Sequence, residues 1–222
     1  MISTRAAAIA WTLFLGTVAA TPQESPDTYA GPRFLSGKTP EQPPLAAAGG
    51  LTVLEIEIAA SGIVTNAIAI DEAPPFTEVL QEATRLWRYR PAEDDGSPIR
   101  SKALVVGVFR PPVLMGSALP EPKSLRPPSD DVPYPTTTAV PEYPPNALYE
   151  GVAVVEVAID ATGAVSEARM LSPEAGYDQP SLDAATAFRF RPARHDGRAV
   201  ESYALIFFGF RQPLMSPRIP RR

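Results

Sequence analysis

The sequence predicts an α+β fold of two tandem ββαβ units, each a three-stranded antiparallel sheet with one packed helix. Three observations carry that prediction: an internal repeat held in one register, a switch of hydrophobic period inside each repeat, and an uneven spread of proline. Shifting the 222-residue chain by 101 positions aligns Pro43–Pro112 with Pro144–Pro213 without a gap, and 24 of the 70 aligned positions are identical. The shared residues include Gly50/Gly151, Glu55/Glu156, Gly62/Gly163, Arg88-x-Arg90-Pro91-Ala92 with Arg189-x-Arg191-Pro192-Ala193, Asp95-Gly96/Asp196-Gly197 and Phe109-Arg110/Phe210-Arg211. A long period in two copies is a tandem domain pair, since a solenoid stacks three or more short repeats. Of the 27 prolines, eleven fall in Pro111–Pro145 and six in Thr21–Pro44, against four in Leu45–Arg110 and three in Asn146–Arg211. The chain therefore divides into a hydrophobic leader (1–20), a Pro-rich segment (21–42), a first unit (43–112), a Pro-rich linker (113–142), a second unit (143–213) and a basic tail (214–222).

In the second unit Gly151–Asp160 alternates, with Ala153, Val155, Val157 and Ile159 on one face and Glu156 and Asp160 on the other, as a half-buried strand does. Ala161-Thr162-Gly163 reads as a turn into a second strand, Ala164–Ser172, which makes a hairpin. A helix around Gln179–Phe188 follows, with Pro180 in its first turn and Leu182, Ala185 and Phe188 on one stripe. Arg191-Pro192 ends it, a His195-Asp196-Gly197 turn follows, and Val200–Arg211 is the final strand. The first unit repeats this order with strands Leu51–Ala60, Ile63–Ile70 and Ile99–Phe109 and a helix over Thr77–Trp87. A unit this small is marginal alone, so Trp87/Phe188 and Phe109/Phe210 are expected in its core.

Composition narrows the function. With no cysteine there is no disulfide framework, thiolate zinc site or catalytic thiol. A net charge of -5 argues against a nucleic-acid binder, which needs a basic face to release phosphate counterions. The single histidine argues against a His-based triad or a His-ligated metal, and no cofactor or metal is expected. His195 stands where the first unit has Asp94, which reads as a solvated turn residue. Asp160-Ala161-Thr162-Gly163 reads as a hairpin turn, because the first unit has Ala59-Ala60-Ser61-Gly62. Glu55 and Glu156 look isolated, and nothing pairs with them for general acid/base work. The four shared arginines read as flanks of a helix end, where cations complement the dipole. No enzymatic activity is expected; a hydrolase working through Asp and Glu residues has no carboxylate pair repeated in both units.

Met1–Arg5 carries one positive side chain, and an apolar run, Ala6–Ala20, follows it. Val18 and Ala20 stand where a signal peptidase reads, which places cleavage between Ala20 and Thr21. The competing reading is a retained short anchor, although a spanning helix needs about 17 to 20 apolar residues. Either way the rest of the chain is expected outside the cytoplasm.

The ordered residues of the second unit resemble the TonB C-terminal domain family. They run Tyr143-Pro144, then G-x-V-x-V-x-V-x-I at Gly151–Ile159, then Gly163-x-Val165 and Leu171-Ser172. The helix start Leu182-Asp183-Ala184-Ala185, the exit Phe188-Arg189-Phe190-Arg191-Pro192-Ala193 and Gly197 complete the set. The first unit keeps Gly62-x-Val64 and Trp87-Arg88-Tyr89-Arg90-Pro91-Ala92 but lacks the Tyr-Pro opening and the Leu-Asp-Ala-Ala run. The resemblance implies a periplasmic protein whose final strand pairs with an extended peptide of an outer-membrane receptor. The family's full transducers are anchored in the inner membrane and draw on motor partners through a histidine in the anchor, which this leader lacks. An anchored energy transducer is thus the alternative to an exported binding protein.

An open three-stranded sheet has an unpaired edge that can accept a guest strand through main-chain hydrogen bonds. The expected partner site is accordingly the final strand, at Val200, Tyr203, Leu205, Phe207 and Phe210. Both its faces are apolar, with Ala204, Ile206, Phe208 and Phe210 on one and Tyr203, Leu205 and Phe207 on the other. A partner surface, or cover by the proline-rich flank or the other unit, would each account for the second face. The strip Pro111–Pro141 is expected to be a semi-stiff spacer.

Overall fold

A computed structural model of the chain describes residues 29–43, 49–112, 119, 121, 123–144, 149–174 and 176–211. The fold is α+β, mostly strand with two helices. The first half runs β1 (Arg33–Ser36), β2 (Gly50–Ile58), β3 (Val64–Glu72), α1 (Phe76–Thr84), β4 (Arg88–Arg90), β5 (Ala92–Asp94), β6 (Ser97–Ile99) and β7 (Ser101–Phe109). After β8 (Lys123–Ser124) the second half runs β9 (Tyr134–Thr137), β10 (Gly151–Ile159), β11 (Val165–Ser172), α2 (Asp178–Ala187), β12 (Arg189–Arg191), β13 (Ala193–His195), β14 (Arg198–Val200) and β15 (Ser202–Phe210). The signal or anchor segment, with Ala20 and Thr21, and the basic tail lie outside the described residues.

Local chemistry explains why both halves fold alike. At the hairpin turns Gly62 and Gly163 have φ of 80° and 87°. A Cβ there would also collide with the carbonyl oxygens of Tyr89 and Phe190. Glycine is therefore required twice over, by handedness and by space. Helix entry is matched too. Thr77 Oγ1 accepts the Ala73 N–H at 2.8 Å, and its counterpart Asp178 accepts the Glu174 N–H at 2.7 Å. At the far end α1 stops at Thr84, so Trp87 lies beyond the helix, fully buried.

The two expected sheets are one. Strand order is β11-β10-β15-β7-β2-β3-β8, antiparallel throughout except for the parallel seam between β15 and β7. Across the seam Ala204 lies opposite Leu104 and Gly209 opposite Phe109, an offset of 100, one less than the repeat. Residues opposite each other in a ladder share a face, so duplicated residues point to opposite faces. Leu104, Val106 and Val108 join Ala204, Ile206, Phe208 and the α2 residues Ala184 and Ala185 in one core. Val105, Leu205 and Phe207 join Leu54, Ile56, Trp87 and the α1 residue Leu80 in the other. The helices thus lie on opposite faces, related by a pseudo-twofold axis along the seam.

Each helix covers only its own half of a face. The uncovered halves are closed by the proline-rich segments, each of which crosses to the other unit. Phe34, with Val152 and Leu171, packs on the core that contains Val154, Leu205 and Phe207. Leu119, Tyr134, Ala139 and Val140 pack on the core that contains Val53, Leu104, Val106 and Val108. The described part of the linker is therefore an arm folded onto the sheet, which corrects the spacer reading. The repeat also begins upstream of Pro43 and Pro144. β1 pairs with β4 as β9 pairs with β12, and β9 lies 101 residues after β1. Pro32/Pro133, Pro40/Pro141 and Glu41/Glu142 carry that extension in the sequence.

Candidate capture edge

The residues nominated by the sequence are not at an edge. Val200 belongs to the β13–β14 hairpin, opposite Ala193. Tyr203, Leu205, Phe207 and Phe210 lie in β15, which β10 pairs along its whole length and β7 pairs from Ala204 to Gly209. Leu205, Phe207 and Phe210 are 2%, 1% and 0% exposed. Phe207 stacks on Trp87 at 5.2 Å between centroids, and the Arg33 guanidinium sits 3.8 Å over the Tyr203 ring. The open-edge reading of Val200–Arg211 is therefore corrected: the first unit's final strand already fills that ladder. Of the two covers proposed for its second apolar face, the other unit and the proline-rich arm supply it together.

Among the described residues the sheet ends in β11 on one side and, on the other, in β3 with the two-residue β8 added at its end. At the end of β3 the chain adds a strand to itself. Ser124 and Lys123 pair antiparallel with Asp71 and Glu72, and the Leu125 N–H bonds to the Ile70 carbonyl at 2.9 Å. Ser124 Oγ and Tyr134 Oη donate to the two Asp71 carboxylate oxygens, both at 2.6 Å. The corresponding edge of the second unit is β11, and among the described residues no strand pairs with its outer side. On the α2 face β11 presents Ala168 and Met170, packed against the core. On the opposite face it presents Glu167, Arg169 and Leu171, opposite or diagonal to Glu156 in the ladder. A cleft of about 190 Å³ opens beside its end, lined by Phe34, Trp87, Val154, Leu171, Ser172 and Phe207 among others.

Glu55 and Glu156 are not isolated, which corrects the sequence reading. Glu156 is 3% exposed and receives Arg33 Nη2 and Arg169 Nη2, each at 2.7 Å, with Arg33 Nε at 3.2 Å. Burial by itself raises its pKa, but the hydrogen bonds from Arg33 and Arg169 outweigh that and hold the carboxyl below its ordinary value. Glu55 is 5% exposed and receives Lys102 Nζ at 3.0 Å, Ser129 Oγ at 2.8 Å and the Ser129 N–H at 3.2 Å. It is lowered in the same way, burial opposed by Ser129 and Lys102. Each buried carboxylate thus fastens the arm of the opposite unit. With their oxygens engaged and charged, they are poor proton donors or acceptors for catalysis.

The remaining candidates resolve individually. His195 is no solvated turn residue: its ring stacks on Tyr29 at 4.1 Å, and Nε2 lies 3.7 Å from Asp94, its own counterpart in the repeat. Asp160 Oδ1 accepts the Thr162 hydroxyl and the Thr162 and Ala164 N–H groups, a hairpin turn as read. Arg189 Nη1 donates to the Thr186 and Phe188 carbonyls at the end of α2, whereas Arg191 reaches Asp130 and the Ser129 carbonyl in the arm. Among the described residues no cluster of His, Cys, Asp and Glu could hold a metal. Among them, too, no helix is long and apolar enough to cross a membrane. The signal for the arms was available in the paired prolines; the outer side of β11, unpaired among the described residues, had none. No family model matches the chain, and no curated protein matches it.

Proposed function

We propose that this is an exported envelope protein, similar to the TonB C-terminal domain family, that captures an extended segment of a partner by strand addition. The capture edge is β11, the outer strand of the second unit, and the partner is a short peptide stretch of an outer-membrane receptor or another envelope protein. The observation that carries this reading is the outer side of β11, which has no pairing strand among the described residues. The addition of β8 to the matching edge of the first unit supports it, because the same fold there takes an extended antiparallel segment. The family's guest enters beside the final strand; here β7 fills that place, so the guest moves to the far side of the meander.

A photo-reactive side chain at Glu167, compared with one at Thr65 on β3, tests the reading in full-length exported protein. Cross-links to an envelope protein from position 167, lost when Ala168→Pro breaks the outer ladder, are the expected result. Equal yields from both positions, or yields unaffected by the proline, sink it. The mass of the exported chain decides its anchorage: a start at Thr21 supports a released protein, and an intact Met1 supports the anchored transducer.

A further inference from the structure

β11 differs from its duplicate β3 in the middle of the strand. Glu167, Ala168 and Arg169 stand where β3 has Asn66, Ala67 and Ile68. Their places in the two ladders are the same: Glu167 and Arg169 lie opposite Ala158 and Glu156, and Asn66 and Ile68 lie opposite Glu57 and Glu55. The second unit thus sets a carboxylate and a guanidinium two residues apart on one face of its outer strand, where the first unit has an amide and an isoleucine. Both charges are at the surface, with Glu167 exposed and the Arg169 side chain 51% exposed. The ladder to β10 shifts register on either side of Glu167–Met170, so β11 is regular only over that stretch. A strand laid along its outer side has a short span in which to pair, and its register decides which charges meet.

We infer that β11 is the contact of a homodimer, in which a second copy of this chain lays its own β11 alongside, antiparallel and centred on Ala168. A closed twofold contact sets residue i against j and j against i, and residues opposite each other in a ladder share a face. The available registers are therefore those symmetric about one residue. Centred on Ala168, Glu167 of each copy lies opposite Arg169 of the other, which makes two opposite-charge pairs on one face. On the other face the two short Ala168 side chains meet at the axis. A centre on Glu167 or on Arg169 would set that charge against its own copy, which is destabilising. A centre on Ser166 or Met170 sets Glu167 against Val165 or Arg169 against Leu171 and brings no charges together. Arg169 has donors for both carboxylates: Nη2 holds Glu156 at 2.7 Å, and the planar fork carries further N–H groups on its other nitrogens. The same operation on β3 sets Asn66 against Ile68, and Lys123–Ser124 already occupies the end of that edge. Of the two outer strands only β11 is self-complementary. The inference rests on the outer side of β11, unpaired among the described residues, and not on partner capture, which competes for the same main-chain groups.

Sedimentation velocity of the full-length exported protein, with no partner added, tests it. The parent should pass from monomer to dimer as concentration rises; a chain that stays monomeric up to roughly 100 μM overturns the inference. Glu167→Lys should raise the dimer dissociation constant at least about tenfold, because it sets like charges opposite each other twice, and Asn66→Lys on β3 should leave it unchanged. Equal effects from the two, or none from Glu167→Lys, overturn the inference. Arg169→Glu should weaken the dimer in the same way, yet an equimolar mixture of the two weakened chains should dimerise like the parent, since every facing pair is then of opposite charge. A mixture of two folded variants that stays monomeric overturns it. Arg169→Glu also takes a partner from Glu156, so a further variant carries the test if that chain does not fold. The chain has no cysteine, and Ala168→Cys should close an intermolecular disulfide at least about tenfold faster than Ala67→Cys; equal rates overturn the inference. The two readings fail separately. A dimer whose position 167 cross-links only to its own second copy removes partner capture alone. Cross-links from 167 to an envelope protein, in a chain that never dimerises, remove the homodimer alone.

Discussion

Leu104 lies opposite Ala204, one residue short of its own duplicate, Leu205. That single step puts Leu104 in the core under α2 and Leu205 in the core under α1. The two copies of one unit consequently share both cores, and neither has a sheet of its own.

Unfolding should therefore be a single transition. Phe207→Ala removes a ring that stacks on Trp87 of the other unit, and should cost about 3–5 kcal/mol of the whole chain's stability. Calorimetry checks this; two separate melting events, only one of them moved by the substitution, would contradict the shared core. Leu205→Pro and Leu104→Pro should damage stability alike, by about 3 kcal/mol or more, because both sit in interior ladders.

Arg33 ties the first arm to Glu156 of the second unit at 2.7 Å. Arg33→Met leaves that carboxylate buried with Arg169 alone and should destabilise by about 1–3 kcal/mol. Glu156→Gln in the same chain should recover part of the loss. A double-mutant cycle in urea measures the coupling, and an additive result would show that the contact contributes nothing.

Acid should loosen both arms. The carboxyls of Glu55 and Glu156 lie below their ordinary pKa of 4.5 in the folded chain. Below that ordinary value the unfolded chain binds more protons, so stability falls as pH falls toward and through the folded pKa values. The contribution is fully present above the ordinary value. The urea midpoint should stay level down to about pH 5 with respect to these groups and then drop, and the drop should be shallower in Glu156→Gln. An identical pH profile in that variant would exclude Glu156 as a source.

Glycines of the same handedness should differ in cost. Gly163→Ala meets the Phe190 carbonyl as well as a positive φ, whereas Gly197→Ala has open space around it. The second should cost about 1 kcal/mol, the usual penalty of left-handed backbone, and the first distinctly more. Equal losses in thermal denaturation would mean that the backbone yields at the hairpin turn.

Much of the unit was legible in the chain, because alternation, turn glycines and a helical stripe are local signals. β2, β10 and β15 begin and end within two residues of the expected strands, and both hairpins stand where Gly62 and Gly163 place them. The arms were less legible. Arg33–Ser36 and Tyr134–Thr137 have no identical position, and only the prolines and the glutamate around them preserve the 101-residue step. The partners of Glu55 and Glu156 were invisible for the same reason: Arg33 is 123 residues from Glu156, and Ser129 is 74 from Glu55.

By itself, the sequence determined the ββαβ unit, its duplication and the strand that is apolar on both faces. Which strand of that unit ends the sheet among the described residues was decided only by the tertiary structure. Main-chain pairing across an edge uses N–H and C=O groups that every residue carries, so it leaves no side-chain signature. A strand apolar on both sides is equally at home at a binding edge and in the middle of a larger sheet. Phe207 lies in the middle of such a sheet, held between its own unit and the other one.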